Sequence, residues 1–233
     1  MAVERNRMKI AIIIPIYNQA DYLQHCLDSL LNQTDGDFTV YCVNDGSTDN
    51  SQEIIDGVVE RDGRFVAVQK PNGGLSSARN AGLDAAAARA ADAYLFLDSD
   101  DFLHPQCIEF VRKAALANPG CVVEYDYTGC TLPMEFLARR YVYSADEIVS
   151  YSISSTVWNK LYPKEVIGSL RFSEDVLYAE DFVFTTELAL KFRPSCRFLP
   201  HELHYYTTNP NSMSRIAFDA ENFRRRAVAI EYL

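Results

Sequence analysis

Apolar positions in the first half of the chain switch repeatedly between two spacings. Ile10 to Ile16 is a nearly unbroken β-branched run closed by Tyr17 and Asn18, the pattern of a strand buried on both faces rather than an alternating, half-exposed one. Tyr22, Leu23, Cys26, Leu27, Leu30 and Leu31 then recur at helical spacing until the polar stretch 32–37, which predicts a helix returning over the sheet. The unit repeats. Phe38 to Val43 reads as a strand, Ile54, Ile55, Val58 and Val59 mark a helix that Gly63 ends, and Phe65 to Gln69 is a third strand. Leu75 to Ala88 is helical by its alanine content, Ala93 to Leu97 is a fourth strand, and Pro105 opens a helix running to Leu116. Such alternation implies a mostly parallel sheet with helices on both faces and right-handed crossovers, with ligands bound beyond the carboxyl ends of the strands.

From about Cys121 the regularity weakens. Val122 to Tyr127 predicts another strand, Asp146 to Tyr151 a short helix and Phe182 to Phe192 a stronger one. A helical pattern from Phe218 (Phe223, Ala227, Ile230) reaches Leu233 with no Gly or Pro stop, so the chain is expected to be cut mid-helix. The expected organisation is a single α/β domain, with residues 1–120 as a ligand-binding half, 121–217 as the other half and 218–233 as a terminal helix.

Composition narrows the partners. The chain of 233 residues carries 22 Lys+Arg against 32 Asp+Glu, a net charge of −10, which argues against nucleic acid because phosphate-backbone binding needs a basic surface. Six cysteines stand singly with no C-x-x-C pair, so neither a zinc site nor a disulfide framework is expected. The apolar run after the charged residues 1–7 is short and contains Pro15, unlike a signal peptide or a membrane span. A reducing, cytoplasmic setting is the expectation.

The unusual polar chemistry falls at the four strand ends. Asp98-Ser-Asp100 sets two carboxylates one residue apart, suited to a hard divalent cation such as Mg²⁺ or Mn²⁺, to a ribose hydroxyl, or simply to capping the next helix. Asp45, in Asp45-Gly-Ser47, either accepts an N–H of a nucleobase or belongs to a common turn. Tyr17 either stacks on a base or packs. Gly73-Gly74 fits neither the P-loop nor the dinucleotide fingerprint. That leaves a nucleotide site which holds phosphates through a metal and cationic side chains, for which Arg79, Lys160 and Arg215 are candidates.

Together these ends resemble glycosyltransferase family 2, the inverting sugar-nucleotide transferases of the GT-A fold. Pro15-Ile-Tyr-Asn18, Asn44-Asp-Gly-Ser-Thr-Asp49, Asn72-Gly-Gly-Leu-Ser-Ser-Ala-Arg-Asn-Ala-Gly82 and Leu97-Asp-Ser-Asp-Asp101 stand in that family's order and spacing. So do Val157-Trp-Asn-Lys-Leu-Tyr162, Tyr178-Ala-Glu-Asp181 and Asn211-Ser-Met-Ser-Arg215. The flavour is that of bacterial enzymes building capsule, lipopolysaccharide and other surface polysaccharides. The resemblance implies a Rossmann-like mixed, mostly parallel sheet. It implies nucleotide contacts from Pro15, Tyr17, Asn18, Asp45, Asn72, Arg79 and Asp98, with Tyr17 and Asp45 at the base and Asp98 at the ribose. Asp100, with Asp98, would hold Mn²⁺ or Mg²⁺, and His204 either completes that shell or is a structural histidine. Asp181 matches the catalytic base, and Glu180 orients the acceptor or supports the base. Trp158, Lys160, Ser212 and Arg215 fall on the diphosphate or acceptor side, Trp158 as a sugar floor or as core. Thr207 stands where the family commonly has Arg.

The expected activity is therefore metal-dependent, inverting transfer from a nucleotide sugar, most simply UDP-linked, to a hydroxyl of a glycan or lipid-linked oligosaccharide. A catalytically silent nucleotide-sugar-binding module is the competing reading, against which Asp100 and Asp181 stand intact; a nucleotidyltransferase lacks its Gly-rich basic first loop. Arg224-Arg-Arg226 suggests peripheral contact with the inner face of a membrane through a C-terminal continuation, but three basic residues fall short of a lipid-binding cluster of about four to eight, and a solvated face is the favoured reading. Asp181 also opens a helix, whose N-terminus favours the anion and weakens a base, while burial works in the opposite direction.

Overall fold

Every residue of β1 (Ile10–Ile16) is buried, and its side chains divide between two cores by the strand's twofold alternation. Ile10, Ile12, Ile14 and Ile16 pack with α1 (Ala20–Leu31), α2 (Ser51–Arg61) and α4 (Cys107–Ala117), whereas Ala11 and Ile13 pack with α3 (Leu75–Ala88), α5 (Lys164–Ile167) and α6 (Glu180–Phe192). The helices therefore cover both faces, as the unbroken apolar run requires. The computed structural model describes residues 8–130, 141, 143, 149–151, 153–176 and 179–209. The expected helix from Phe218, together with Ser212 and Arg215, lies outside them.

β2 (Phe38–Asp45), β3 (Phe65–Lys70) and β4 (Ala93–Phe96) join β1 in parallel in the order β3-β2-β1-β4. The second half extends the same sheet in mixed orientation. β8 (Lys160–Pro163) runs antiparallel to β4 and to β6 (Val122–Cys130), β9 (Cys196–Thr207) runs parallel to β6, and β5 (Phe102–Leu103) closes the edge beside β9. Leu161 pairs with both Leu95 and Val123, so one sheet passes through both halves of the chain. Because β8 opposes β4, the residues entering β8 arrive where β4 leaves, beside Asp98. Sequence distance thus becomes contact.

One element differs in kind from its expectation. Residues Val149–Tyr151, read as part of a short helix from Asp146, form β7, antiparallel to β9 at Cys196–Phe198; residues 144–148 lie outside the described set. A Val-Ser-Tyr stretch beside an available strand edge gains ladder hydrogen bonds that outweigh its weak helical periodicity. All six cysteines are free and buried. Among the described residues no helix is long and apolar enough to cross a membrane.

Gly82 lets α3 sit directly on the sheet: a Cβ there would collide with the Ile13 side chain and crowd Val43. Gly82→Ala is expected to cost about 1–3 kcal/mol by overpacking, read as a lower urea midpoint at unchanged m value. An unaltered midpoint would contradict this close approach.

Candidate active site

The carboxyl ends of β1, β2 and β4 open into a cleft of about 730 Å³, closed on the other side by residues 155–158, the start of α6 and the end of β9. Pro15, Tyr17, Asn18, Asp45, Asn72, Arg79, Asp98, Asp100, Trp158, Glu180 and Asp181 all line it. Residues as far apart in sequence as Pro15 and Asp181 therefore line one cleft.

Tyr17 keeps 49% of its surface exposed at the mouth, leaving a ring face free to stack. Asn18 takes a left-handed conformation, φ 52°. This locks the first strand end to the second: its N–H donates to Ser47 Oγ (3.1 Å) and its Oδ1 accepts from the Thr48 N–H (2.7 Å). Asp45 is held from the third end. Oδ1 accepts from Lys70 Nζ (2.5 Å) and the Gly73 N–H (3.0 Å), and Oδ2 from the Gly74 N–H (2.8 Å). The expected base acceptor is thus also a brace for the 70–74 loop. Gly46, at φ 72°, leaves no room for a side chain, since a Cβ would lie 2.8 Å from the Asn72 nitrogen.

Arg79, in the second turn of α3, connects the two sides of the cleft. Its guanidinium is 1% exposed and donates from Nη2 to Asp98 Oδ1 (2.9 Å) and from Nη1 to Glu180 Oε1 (2.9 Å) and Asp181 Oδ1 (2.5 Å), while lying 5.2 Å from the Phe172 ring centroid. Burial acts to lower its pKa, but Asp181, Asp98 and Glu180 more than offset that, and it stays charged.

Asp181 accepts a second hydrogen bond at Oδ2 from the Val157 N–H (3.3 Å). Desolvation dominates its titration and pushes the pKa up to about 7, with Arg79 opposing and Glu180 and Asp98 reinforcing. The Val157 N–H bond acts with Arg79 in favour of the anion, as does the position of Asp181 in the first turn of α6. The residue before α6, Ala179, is also left-handed, φ 63°. Alanine reaches this conformation at a cost of roughly 1–2 kcal/mol, whereas asparagine tolerates it, and both Asn18 and Ala179 lie on the cleft wall.

Asp100 accepts from Asn209 Nδ2 at 2.8 Å, and burial, then the charges of Asp101 and Asp98, push its pKa up to about 7. Asp101 turns away from the cleft: one oxygen accepts from the Thr207 N–H (2.8 Å) and the other meets His204 Nε2 (2.8 Å). His204, considered as a third metal ligand, is therefore buried behind the acidic turn with its Nε2 engaged. Lys160, expected on the diphosphate or acceptor side, also lies behind the wall. Its fully buried ammonium is bonded to the Thr156 carbonyl (2.6 Å), Ser154 Oγ and Asn159 Oδ1 (both 2.8 Å), with Glu124 at 3.5 Å, and burial lowers its pKa to about 8. Thr207 is buried too. Asn209 and Tyr206 line the cleft without having been singled out. Their only sequence signal was adjacency to a motif whose register was unknown.

The electrostatic balance is informative. Among the described lining residues, Arg79 is the only cation, against Asp21, Asp45, Asp98, Asp100, Glu180 and Asp181, a formal 1 − 6 = −5. Lys70 offsets Asp45 from behind, and Arg79 is already shared among three carboxylates. Two carboxylates one residue apart at the centre of this excess form a donor set for a hard divalent cation. No group of three or more His, Cys, Asp or Glu among the described residues is placed to hold one.

The sheet order and this acidic strand-end cleft define a GT-A fold, and the comparisons agree. The sequence profile of "Glycosyl transferase family 2" matches residues 11–169, and the chain belongs to that family. It is 31% identical over 229 residues to "Uncharacterized glycosyltransferase EpsJ" of Bacillus subtilis (strain 168), covering 90% of this chain and 64% of EpsJ. It is 37% identical over 226 residues to "Poly(ribitol-phosphate) beta-glucosyltransferase" of Bacillus spizizenii, covering 93% of this chain and 35% of that protein. The chain thus spans less than two thirds of the length of these relatives. The crystal structure of S. aureus TarS 1-349 in complex with UDP-GlcNAc superposes with TM-score 0.74 at 21% identity, over 95% of this chain and 65% of that one.

Proposed function

We infer that the chain carries the catalytic domain of an inverting glycosyltransferase that moves a sugar from a UDP-sugar to a hydroxyl of a glycan or lipid-linked acceptor in polysaccharide synthesis, and that it requires Mn²⁺ or Mg²⁺. The observation that carries the metal requirement is the cleft's charge. Among the described residues the cleft is lined by six carboxylates and one committed arginine, and a bound cation would offset the repulsion they exert on a nucleoside diphosphate. The UDP donor is supported by the UDP-GlcNAc complex of TarS, and polysaccharide synthesis by the ribitol-phosphate glucosyltransferase.

Tyr17 offers its exposed face to the base, and Asp45 with the Asn72 loop sets the depth of that end. Asp98 and Asp100 would hold the cation, which supplies charge to offset that developing on the departing diphosphate. Asp181 accepts the proton of the acceptor hydroxyl as its oxygen bonds to the anomeric carbon on the side opposite the diphosphate; the bond to the diphosphate breaks, and UDP leaves with that electron pair. Arg79 and the Val157 N–H hold the two Asp181 oxygens in place, and Glu180 shares the arginine.

Calorimetric titration of UDP, GDP, CDP and TDP with and without Mn²⁺ tests this. UDP alone should bind tightly, with chelation of the metal weakening it by on the order of 100-fold, the scale of about 2.7 kcal/mol. Asp100→Ala should abolish the metal dependence. Equal binding of UDP in EDTA would refute the charge argument, and metal-dependent binding without transfer to any hydroxyl would point to a silent module.

A further inference from the structure

The β6–β9 pairing sets Tyr127 beside His204 and Gly129 beside Tyr206. Paired residues share a face of the sheet, and positions two apart along a strand return to it, so these four lie on one face, with His204 fully buried at its base. Trp158 joins it from just before β8. Its ring is edge-on to Tyr127 at 4.8 Å, near-parallel to Tyr206 at 5.8 Å and tilted against His204 at 4.5 Å. Trp158 and Tyr206 line the cleft, whereas Tyr127 stands outward with 47% of its surface exposed.

A single exposed ring on a protein surface is ordinary. This one continues a series of rings that begins inside the cleft, and among the described residues the sheet beside it is open: a Cβ on Gly129 would meet none of them within 4 Å. The result is a shelf, walled by Tyr127 and Tyr206, backed by the buried Trp158 and floored by Gly129, running from the cleft to solvent. Its cleft end adjoins the proposed base, since Val157, next to Trp158, donates its N–H to Asp181. The nucleotide end, at Tyr17 and Asp45, belongs to the other half of the sheet.

We propose that Tyr127, Gly129, Tyr206 and Trp158 form the acceptor subsite, and that the acceptor it takes presents a pyranose ring. This deepens the reading of the cleft as a UDP-sugar transferase and rests on it. A pyranose offers a flat face of C–H groups that lies against an aromatic ring, burying apolar area while its hydroxyls stay in water. An open-chain polyol phosphate has no such face, and the shelf residues include no Lys or Arg to pair with a phosphate.

Trp158 is the single tryptophan of the chain, so its fluorescence reports the shelf directly. Methyl β-D-glucopyranoside, methyl N-acetyl-β-D-glucosaminide and ribitol 5-phosphate are titrated separately into the full chain loaded with UDP and Mn²⁺. At least one glycoside should give a saturable change. Tyr127→Ala should weaken it about fivefold, the equivalent of roughly 1 kcal/mol, and Tyr127→Phe should restore it. Gly129→Val, which suits a strand yet fills the floor, should weaken it on the order of tenfold. UDP affinity within about twofold of the parent certifies that each variant is folded. The proposal is overturned if neither glycoside perturbs Trp158, if both variants bind like the parent, or if only ribitol 5-phosphate binds. Failure of UDP itself to bind would instead overturn the donor reading, and the glycoside titration without nucleotide would still decide the shelf.

Discussion

Asp181→Asn should lose glycosyl transfer by about 10³-fold or more while binding UDP and metal as the parent does. The substitution keeps shape and the acceptor oxygen that Arg79 Nη1 meets at 2.5 Å, but an amide cannot take the proton of an attacking hydroxyl, and general-base catalysis contributes typically 10²–10⁴-fold. The sign of the pH dependence follows from the environment. Desolvation raises the carboxyl to about 7, and a base works only when deprotonated. The kcat/KM of the parent should therefore fall as pH drops below about 7 and level off above it, with the acidic limb missing from the residual activity of the variant. Retention of more than a tenth of parental turnover, or a profile flat from pH 5 to 8, would remove Asp181 from this role.

Arg79→Met should cost about 3–5 kcal/mol, because it strands Asp98, Glu180 and Asp181 around a buried apolar chain. For a chain of this size that corresponds to a fall in Tm on the order of 10 °C. The loss should be smaller at low pH: desolvation already pushes Asp181 up to about 7 and the guanidinium opposes that, so without it Asp181 holds its proton still more tightly folded than unfolded, a contribution present at low pH and lost as pH rises through its raised folded pKa. Arg79→Lys should recover only part of the stability, since one ammonium cannot reproduce a planar fork serving three carboxylates. A Tm within about 2 °C of the parent would mean that the network contributes little to the fold.

Both experiments probe the same dependence on tertiary structure. The strand and helix order of the first half was legible from periodicity alone: the Leu75–Ala88 helix has its expected ends, and β1 to β4 and α1, α2 and α4 fall within a few residues of theirs. These elements are local, and their apolar spacing reports burial directly. Residues 149–151 were not legible, because a short β-branched and aromatic segment takes its state from whichever edge is free, here that of β9. Most of the candidate site residues were nameable because each stands at a strand end or a helix start. Their partners were not. Lys160 and His204 carry side chains that suit phosphate or metal, yet pair behind the wall with Glu124 and with Asp101. A charged residue in sequence gives no sign of whether the fold will bury it against a partner.

By itself, the sequence determined an α/β chain with its reactive groups at strand ends, since hydrophobic periods of 3.6 and 2 and the placing of Asp, Asn and Gly are local properties that survive without knowledge of the fold. Only the tertiary structure decided what those groups do to one another. The antiparallel return of β8 beside β4 carries Val157 and Trp158 to Asp98's rim, and Arg79 reaches across 102 residues of chain to fix Asp181. Coulomb energies and desolvation depend on distance and burial in space. The protonation of Asp181, the charge deficit of the cleft and the opening of the aromatic shelf therefore exist only once the sheet has closed.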